Sequence, residues 1–331
     1  MKRIIFVFAL FLFSLGAEAQ ELFPINEPAS TIPKGVFGIR AFGETYEELG
    51  IWKRMGALRL MYGLTSKLTI EATGVISNHH DSILPANLVT HTHYGTQTTY
   101  FTGAIPRGIV YPYRFHDDIN LYAKYRFLSL DGQNEHFRAS AYGEYSFVNV
   151  AHDEAEPDLL DDTKGFGSGL ILTYLKNRFA ASITTGIILP GNYSENDYNS
   201  IYTVHWNTYE IVYGKAAVYN LSLGYLLYPK DYTDYSEANW NIYCEFLGTS
   251  YQGAKVIEDG TSIDVQTTAL KAGNYINICP GVQKIFDSNL RIDFSVQWPM
   301  ISKSYVYYYP VYMIGLQRYF YPKSHKKRAN L

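Results

Sequence analysis

The sequence predicts an all-β fold, a single antiparallel transmembrane β-barrel of about 12 strands. Three features predict it. The N-terminus has the three parts of an export signal. The rest of the chain alternates apolar and polar residues with a period of two and shows no convincing amphipathic helix. The connections between alternating segments are short on one side and mostly long on the other.

Composition narrows the class first. Of 331 residues, 47% are apolar and 16% aromatic, with 31 Tyr, 18 Phe and 4 Trp. That is too much apolar material for a disordered chain. A formal net charge of −3 excludes a strong basic field for nucleic acid. Two Cys exclude a disulfide framework and a four-Cys zinc module.

Met1-Lys2-Arg3 opens the chain with positive charge. Ile4 to Gly16 is almost continuously apolar, and Ala17-Glu18-Ala19 supplies the small residues that a signal peptidase reads. The apolar run is shorter than the roughly 20 residues a spanning helix needs. Residues 1–19 are therefore expected to be a cleaved signal peptide, and the lack of Cys at the cleavage point argues against a lipoprotein. Residues 20–34 follow as a periplasmic lead-in with the barrel interior within reach. The barrel is expected over 35–321 and a basic periplasmic tail over 322–331. No later segment approaches about 18 consecutive apolar residues, which excludes helical spans.

Alternation places the strands at 35–47, 53–63, 67–77, 118–128, 136–150, 164–175, 179–190, 213–227, 238–250, 270–284, 290–300 and 306–320. In the fourth, Ile119, Leu121, Ala123, Tyr125 and Phe127 alternate with Asn120, Tyr122, Lys124 and Arg126. In the eleventh, Leu290, Ile292, Phe294, Val296 and Trp298 alternate with Arg291, Asp293, Ser295 and Gln297. A strand separates these sets onto two faces; a helix does not. The sixth and eighth alternate weakly, and Gly165, Gly167 and Gly169 loosen the sixth. Short links fall at Thr65-Ser66, Leu130-Asp131-Gly132, Lys176-Asn177 and Asp287-Ser288-Asn289. Long ones cover about 78–117, 151–163, 191–212 and 251–269. Short periplasmic turns and longer outer loops are the layout of an outer-membrane barrel, and an even strand count returns the chain to the periplasm. Aromatics gather at strand ends as interfacial girdles, with Trp52, Trp298 and Tyr305 to Tyr309 toward the outer rim.

If the apolar set faces lipid, the lumen carries Arg40, Arg59, Lys124, Arg126, Arg138 and Arg291 with Glu44, Glu71, Glu144, Glu245 and Asp293. The two signs nearly cancel. They can form an internal ion-pair network or line a narrow solute path of weak charge selectivity; a single-sign constriction is not visible. By the same parity Cys244 faces lipid and Cys279 the lumen, which disfavours a disulfide.

His79, His80, His91, His93 and His116 fall in one outer-loop region, and His91-Thr92-His93 places two imidazoles on one strand face. They are candidate ligands for zinc, copper or nickel, against the plainer reading of surface loop histidines. Asp153, Glu154, Glu156, Asp158, Asp161 and Asp162 form an acidic segment that lacks the ligand order of a calcium loop and is expected to be solvated. Catalytic patterns are missing: there is no Gly-x-Ser-x-Gly elbow, P-loop or His-Glu-x-x-His, and no enzyme and no cofactor are expected.

Met61-Tyr62-Gly63-Leu64-Thr65-Ser66-Lys67-Leu68 resembles the tight turn of transporter-type outer-membrane barrels, among them the group named for the MetA pathway of phenol degradation. Ile25 to Ser30, Leu128 to Asn134 and Glu156 to Asp162 are similar to stretches of an uncharacterised Gram-negative outer-membrane barrel family. The resemblance implies an envelope location and transport, and it assigns no functional residue. The expectation is thus a barrel in the outer membrane of a Gram-negative bacterium that lets a small solute pass. Its partners would be membrane lipid, lipopolysaccharide and that solute, with no nucleic acid. The alternatives are a non-transporting surface or structural barrel, whose outer loops bind a partner, a metal or lipopolysaccharide, and a soluble exported β-sandwich.

Overall fold

In hydrocarbon every backbone N–H and C=O must find a partner within the protein, and a sheet achieves this throughout only by closing on itself. The chain does so with twelve strands. The structure, a computed structural model, describes residues 23–48, 50–79, 91–94, 97–100, 113–115, 118–150, 154–197, 207–230, 237–263 and 268–322. The expected signal peptide and almost all of the basic tail lie outside these residues, as do His80 and His116.

The described strands are β1 (Phe37–Glu48), β2 (Ile51–Gly63), β3 (Leu68–Ser77), β4 (His91–Tyr94), β5 (Gln97–Tyr100), β6 (Ile119–Asp131), β7 (Glu135–Ser146), β8 (Gly165–Lys176) and β9 (Phe179–Pro190). They continue as β10 (Tyr193–Asp197), β11 (Asn207–Val212), β12 (Ala216–Tyr228), β13 (Asn239–Tyr251), β14 (Lys255–Glu258), β15 (Thr261–Ile263), β16 (Gly273–Phe286), β17 (Leu290–Ile301) and β18 (Val311–Phe320). The barrel runs β1-β18-β17-β16-β13-β12-β9-β8-β7-β6-β3-β2, each neighbour antiparallel. β1 meets β18 from Phe37 opposite Phe320 to Thr45 opposite Tyr312, which closes the cylinder. The remaining strands pair outside the barrel wall, β4 with β5 and β10-β11-β14-β15 as a small sheet.

The expected strands agree with the wall to within a few residues. One departure is instructive. The last strand starts at Val311, not at 306, and residues 302–310 form a loop. The Tyr-rich run that alternation assigned to the outer rim is therefore partly turned inward. The Tyr307 ring meets the Tyr46 ring edge-on at 5.9 Å.

Short turns close the periplasmic end. Asn177 adopts φ 53° in the tight link from β8 to β9, a left-handed conformation that Asn tolerates better than most residues. The faces sort as the alternation requires. Ile314 is 62% exposed and Ile183 52%, while Lys124 and Gln283 are buried. This inversion of a water-soluble protein is what a lipid-embedded barrel needs. Cys279 is buried opposite Glu245, Cys244 lies one step along opposite Pro280, and both are free thiols.

Replacing Ile183, midway along β9 on the lipid side, by Arg is expected to lower unfolding stability in phospholipid vesicles by about 2–4 kcal/mol. Urea titration followed by tryptophan fluorescence measures it.

Candidate functional site in the barrel lumen

Twelve strands enclose more space than their own side chains fill. Here the chain's own lead-in occupies it. Just before β1, Gly35 donates to the Gly63 carbonyl at 2.8 Å and the Gly63 amide returns to Val36 at 3.0 Å. A side chain at Gly63 would strike the Pro33 carbonyl, so this crossing requires glycine. From there residues 23–34 run back across the lumen as a strap.

The strap carries little secondary structure of its own, so its polar groups are met by the wall. The Ile32 amide donates to Thr69 Oγ1 at 2.9 Å, and Thr31 Oγ1 donates to the Ser66 carbonyl at 3.0 Å. Ala29 donates to Thr173 Oγ1 at 2.8 Å, and its carbonyl accepts from Ser140 Oγ. The Asn26 amide donates to Glu245 Oε1 at 2.8 Å, and the Asn26 side chain spans Ser222 and Asn220. The far end is apolar: Phe23 packs with Ala180 and Tyr243.

Glu27 sits at the centre. Lys124 Nζ donates to its Oε2 at 2.6 Å and also to the Pro28 carbonyl at 2.9 Å. Arg59 Nη1 donates to Oε1 at 2.9 Å. The Lys124 side chain is 1% exposed, so most of the water that would solvate it is gone. Burial alone would raise the Glu27 pKa; the Lys124 and Arg59 charges outweigh it and bring it to about 2.

The eleven predicted lumen residues separate into distinct settings. Arg40 grips Asp293 with two nitrogens at 3.0 and 3.1 Å, and Arg291 donates to Gln317 at 2.6 Å beside them. Arg40 also reaches the Pro24 carbonyl at 3.2 Å, so this wall cluster touches the strap. Arg59 stands 3.5 Å from Glu71, and Lys124 and Glu245 hold the strap as described. Glu144 accepts from Asn120 at 3.3 Å. Arg126 and Arg138 lie near the periplasmic turns; Arg126 donates to the Ser66 carbonyl, and Arg138 to Ser30 Oγ and Asp131. Glu44, the eleventh, is buried and faces the outer mouth.

A second filling comes from the outside. The acidic segment expected to be solvated is instead folded into the mouth, with Glu156, Asp161 and Asp162 buried. Its apolar residues explain the correction. Leu160 packs against Met55, Ala57 and Val75, and Ala155 against Ala216, Tyr251 and Tyr275. Glu156 accepts from Ser304 Oγ at 2.7 Å and the Tyr305 amide at 2.9 Å. Burial, then the Asp162 charge, pushes the Asp158 carboxyl up to about 8. Acidic groups are thus gathered at the outer mouth, although the strand pattern shows no single-sign ring; a loop carries them.

Among the expected metal ligands, His79 turns inward, with Nδ1 2.7 Å from Asp161 Oδ2. His91 and His93 lie on the β4–β5 hairpin, opposite Tyr100 and Thr98.

No family model matches the chain, and no curated protein does. Solved structures do. The COG4313 outer membrane channel from Pseudomonas putida F1 is 15% identical, covers 91% of this chain and 100% of its own, and superposes with a TM-score of 0.52. The Pseudomonas putida toluene transporter TodX is 12% identical over 86% of each chain, with a TM-score of 0.27. The first likeness is one of fold and matches the closed wall and its apolar belt. The protein is a closed twelve-stranded β-barrel of the outer-membrane type.

Glu27→Gln removes the charge that Lys124 and Arg59 face, and breaking such a buried pair is expected to weaken strap docking by about 3–5 kcal/mol. A nitroxide at Lys34→Cys, in a chain with both native cysteines replaced by serine, is expected to gain a mobile fraction in its resonance spectrum. The same label follows pH. The Glu27 pKa is depressed in the folded state, so its contribution is complete above the usual value of 4.5 and is lost as pH falls through about 2. Label mobility is therefore expected to rise across that interval in the native sequence and to change less in Glu27→Gln.

Proposed function

We propose that the barrel passes a small polar solute across the outer membrane through its mixed-charge lumen, with residues 23–34 as a displaceable obstruction. The observation that carries this is how the lumen is filled. In a sealed barrel of about eight strands, wall side chains fill the axis themselves. Here the central space is taken by a segment that belongs to no wall strand and is held by polar contacts to Glu245, Thr173, Lys124 and Arg59. Once the strap withdraws, those same groups are donors and acceptors along a path. Arg40, Arg59, Lys124 and Arg138 offer positive charge, and Glu71, Glu144 and Glu245 offer negative charge, a lining suited to weak charge selectivity. The acidic mouth would concentrate cations and zwitterions ahead of it.

A second reading, a non-transporting structural barrel, is favoured by one observation: residues 154–164 also fill the outer mouth. Planar-bilayer recording separates the two. The native chain is expected to be closed with brief openings, and a folded variant lacking residues 23–33 to show sustained discrete conductance. If that variant shows heat-dependent gel mobility typical of folded barrels and still passes no ions, transport is refuted and the structural reading stands.

A further inference from the structure

The outer mouth holds a cluster that solute passage does not use. His79 follows the end of β3, and Asp161 and Asp162 lie on the infolded loop between β7 and β8. One ligand atom from each of the three falls within 4.8 Å of the others, and all three side chains are buried. We infer that His79, Asp161 and Asp162 form a binding site for a divalent transition-metal cation of the zinc class, which clasps the infolded loop to the barrel wall.

Two observations carry this. The first is the donor set. One imidazole nitrogen with two carboxylates is a mixture that zinc-class ions accept, usually with water in the fourth position. A tetrahedral ion keeps such donors roughly 3.4 Å apart. It would spread the 2.7 Å contact between His79 Nδ1 and Asp161 Oδ2 and draw the third ligand in.

The second is the state of Asp161. Its side chain is 4% exposed, yet neither carboxylate oxygen receives a hydrogen bond; the close approach to His79 lies outside hydrogen-bond geometry. A buried carboxylate without donors is costly in a protein interior, and a cation coordinated there removes that cost. The surroundings deepen the need for positive charge. Glu44 is buried with the Asp158, Asp161 and Asp162 charges acting on it. Lys53 directs its ammonium to the His79 carbonyl at 3.3 Å and to Glu48 at 3.6 Å. The Tyr46 ring, 5.4 Å from the imidazole, and the Tyr307 ring beside it wall the cluster from water.

The site does not depend on transport: a sealed barrel would bind the ion equally well. The experiment uses the full chain, purified in detergent, treated with a chelator and titrated with zinc chloride in a calorimeter. One tight site per chain is expected. Asp161→Asn, nearly the same shape, and His79→Gln should each weaken it at least about 10-fold, since even outer-shell changes do as much. Glu48→Gln should not. Zinc should raise the thermal unfolding temperature of the native chain but not of Asp161→Asn. The inference is overturned if the native chain takes up no zinc, if Asp161→Asn and His79→Gln bind it as tightly as the native chain, or if calcium binds equally well. Should both variants fail to fold, X-ray absorption of the zinc-loaded native protein decides. Imidazole and carboxylate scattering supports the site, and its absence refutes it.

Discussion

A membrane barrel inherits one constraint that shapes everything inside it. Its wall can be closed only with strands, and strands have two faces. Giving the apolar face to lipid leaves the other face polar and shut away from bulk water. Buried polar groups must then find partners. In this chain the wall answers part of that demand itself, through Arg40 with Asp293 and Arg291 with Gln317. The rest is answered by chain that does not belong to the wall. The strap supplies backbone amides to Glu245, Thr173 and Thr69, and Glu27 neutralises Lys124 and Arg59.

The two fillings differ in chemistry, and so do their consequences. The strap binds by charge complementarity and hydrogen bonds along its middle, with apolar anchors at Phe23 and at Ile32, which packs with Val36 and Met61. The polar contacts between them are exchangeable with water or with a polar solute. The outer loop is held differently, by Leu160 and Ala155 packed on wall and loop residues and by Glu156 bonded to residues 304 and 305. Its burden is surplus negative charge, gathered where a cation would relieve it. The lumen is therefore obstructed twice, by fillings of unlike character.

Much of the wall was legible in the sequence. Period-two alternation at 119–127 and 290–298 locates β6 and β17, and it assigns inward and outward faces correctly down to the two cysteines. This works because lipid enforces the alternation at every step of a spanning strand. Interior contents were less legible. Residues 152–162 read as a solvated acidic loop because their charge is local and visible, while the hydrophobic contacts of Leu160 depend on strands far away in sequence. Tyr307 read as girdle for the same reason. Alternation continues into a loop without marking where the wall ends. His79 read as one of a histidine group, and its pairing with Asp161 joins two loops whose proximity only the closed sheet creates.

The lead-in is built into the lumen by hydrogen bonds to the wall. Amide hydrogen exchange of the folded protein in lipid, read by mass spectrometry on peptides covering residues 23–34, tests it most directly. The account predicts protection approaching that of β1 and β2 for the amides of Asn26, Ala29 and Ile32, whose donors are engaged by Glu245, Thr173 and Thr69. Exchange at the rate of an unstructured peptide, in a sample whose barrel strands stay protected, would contradict it.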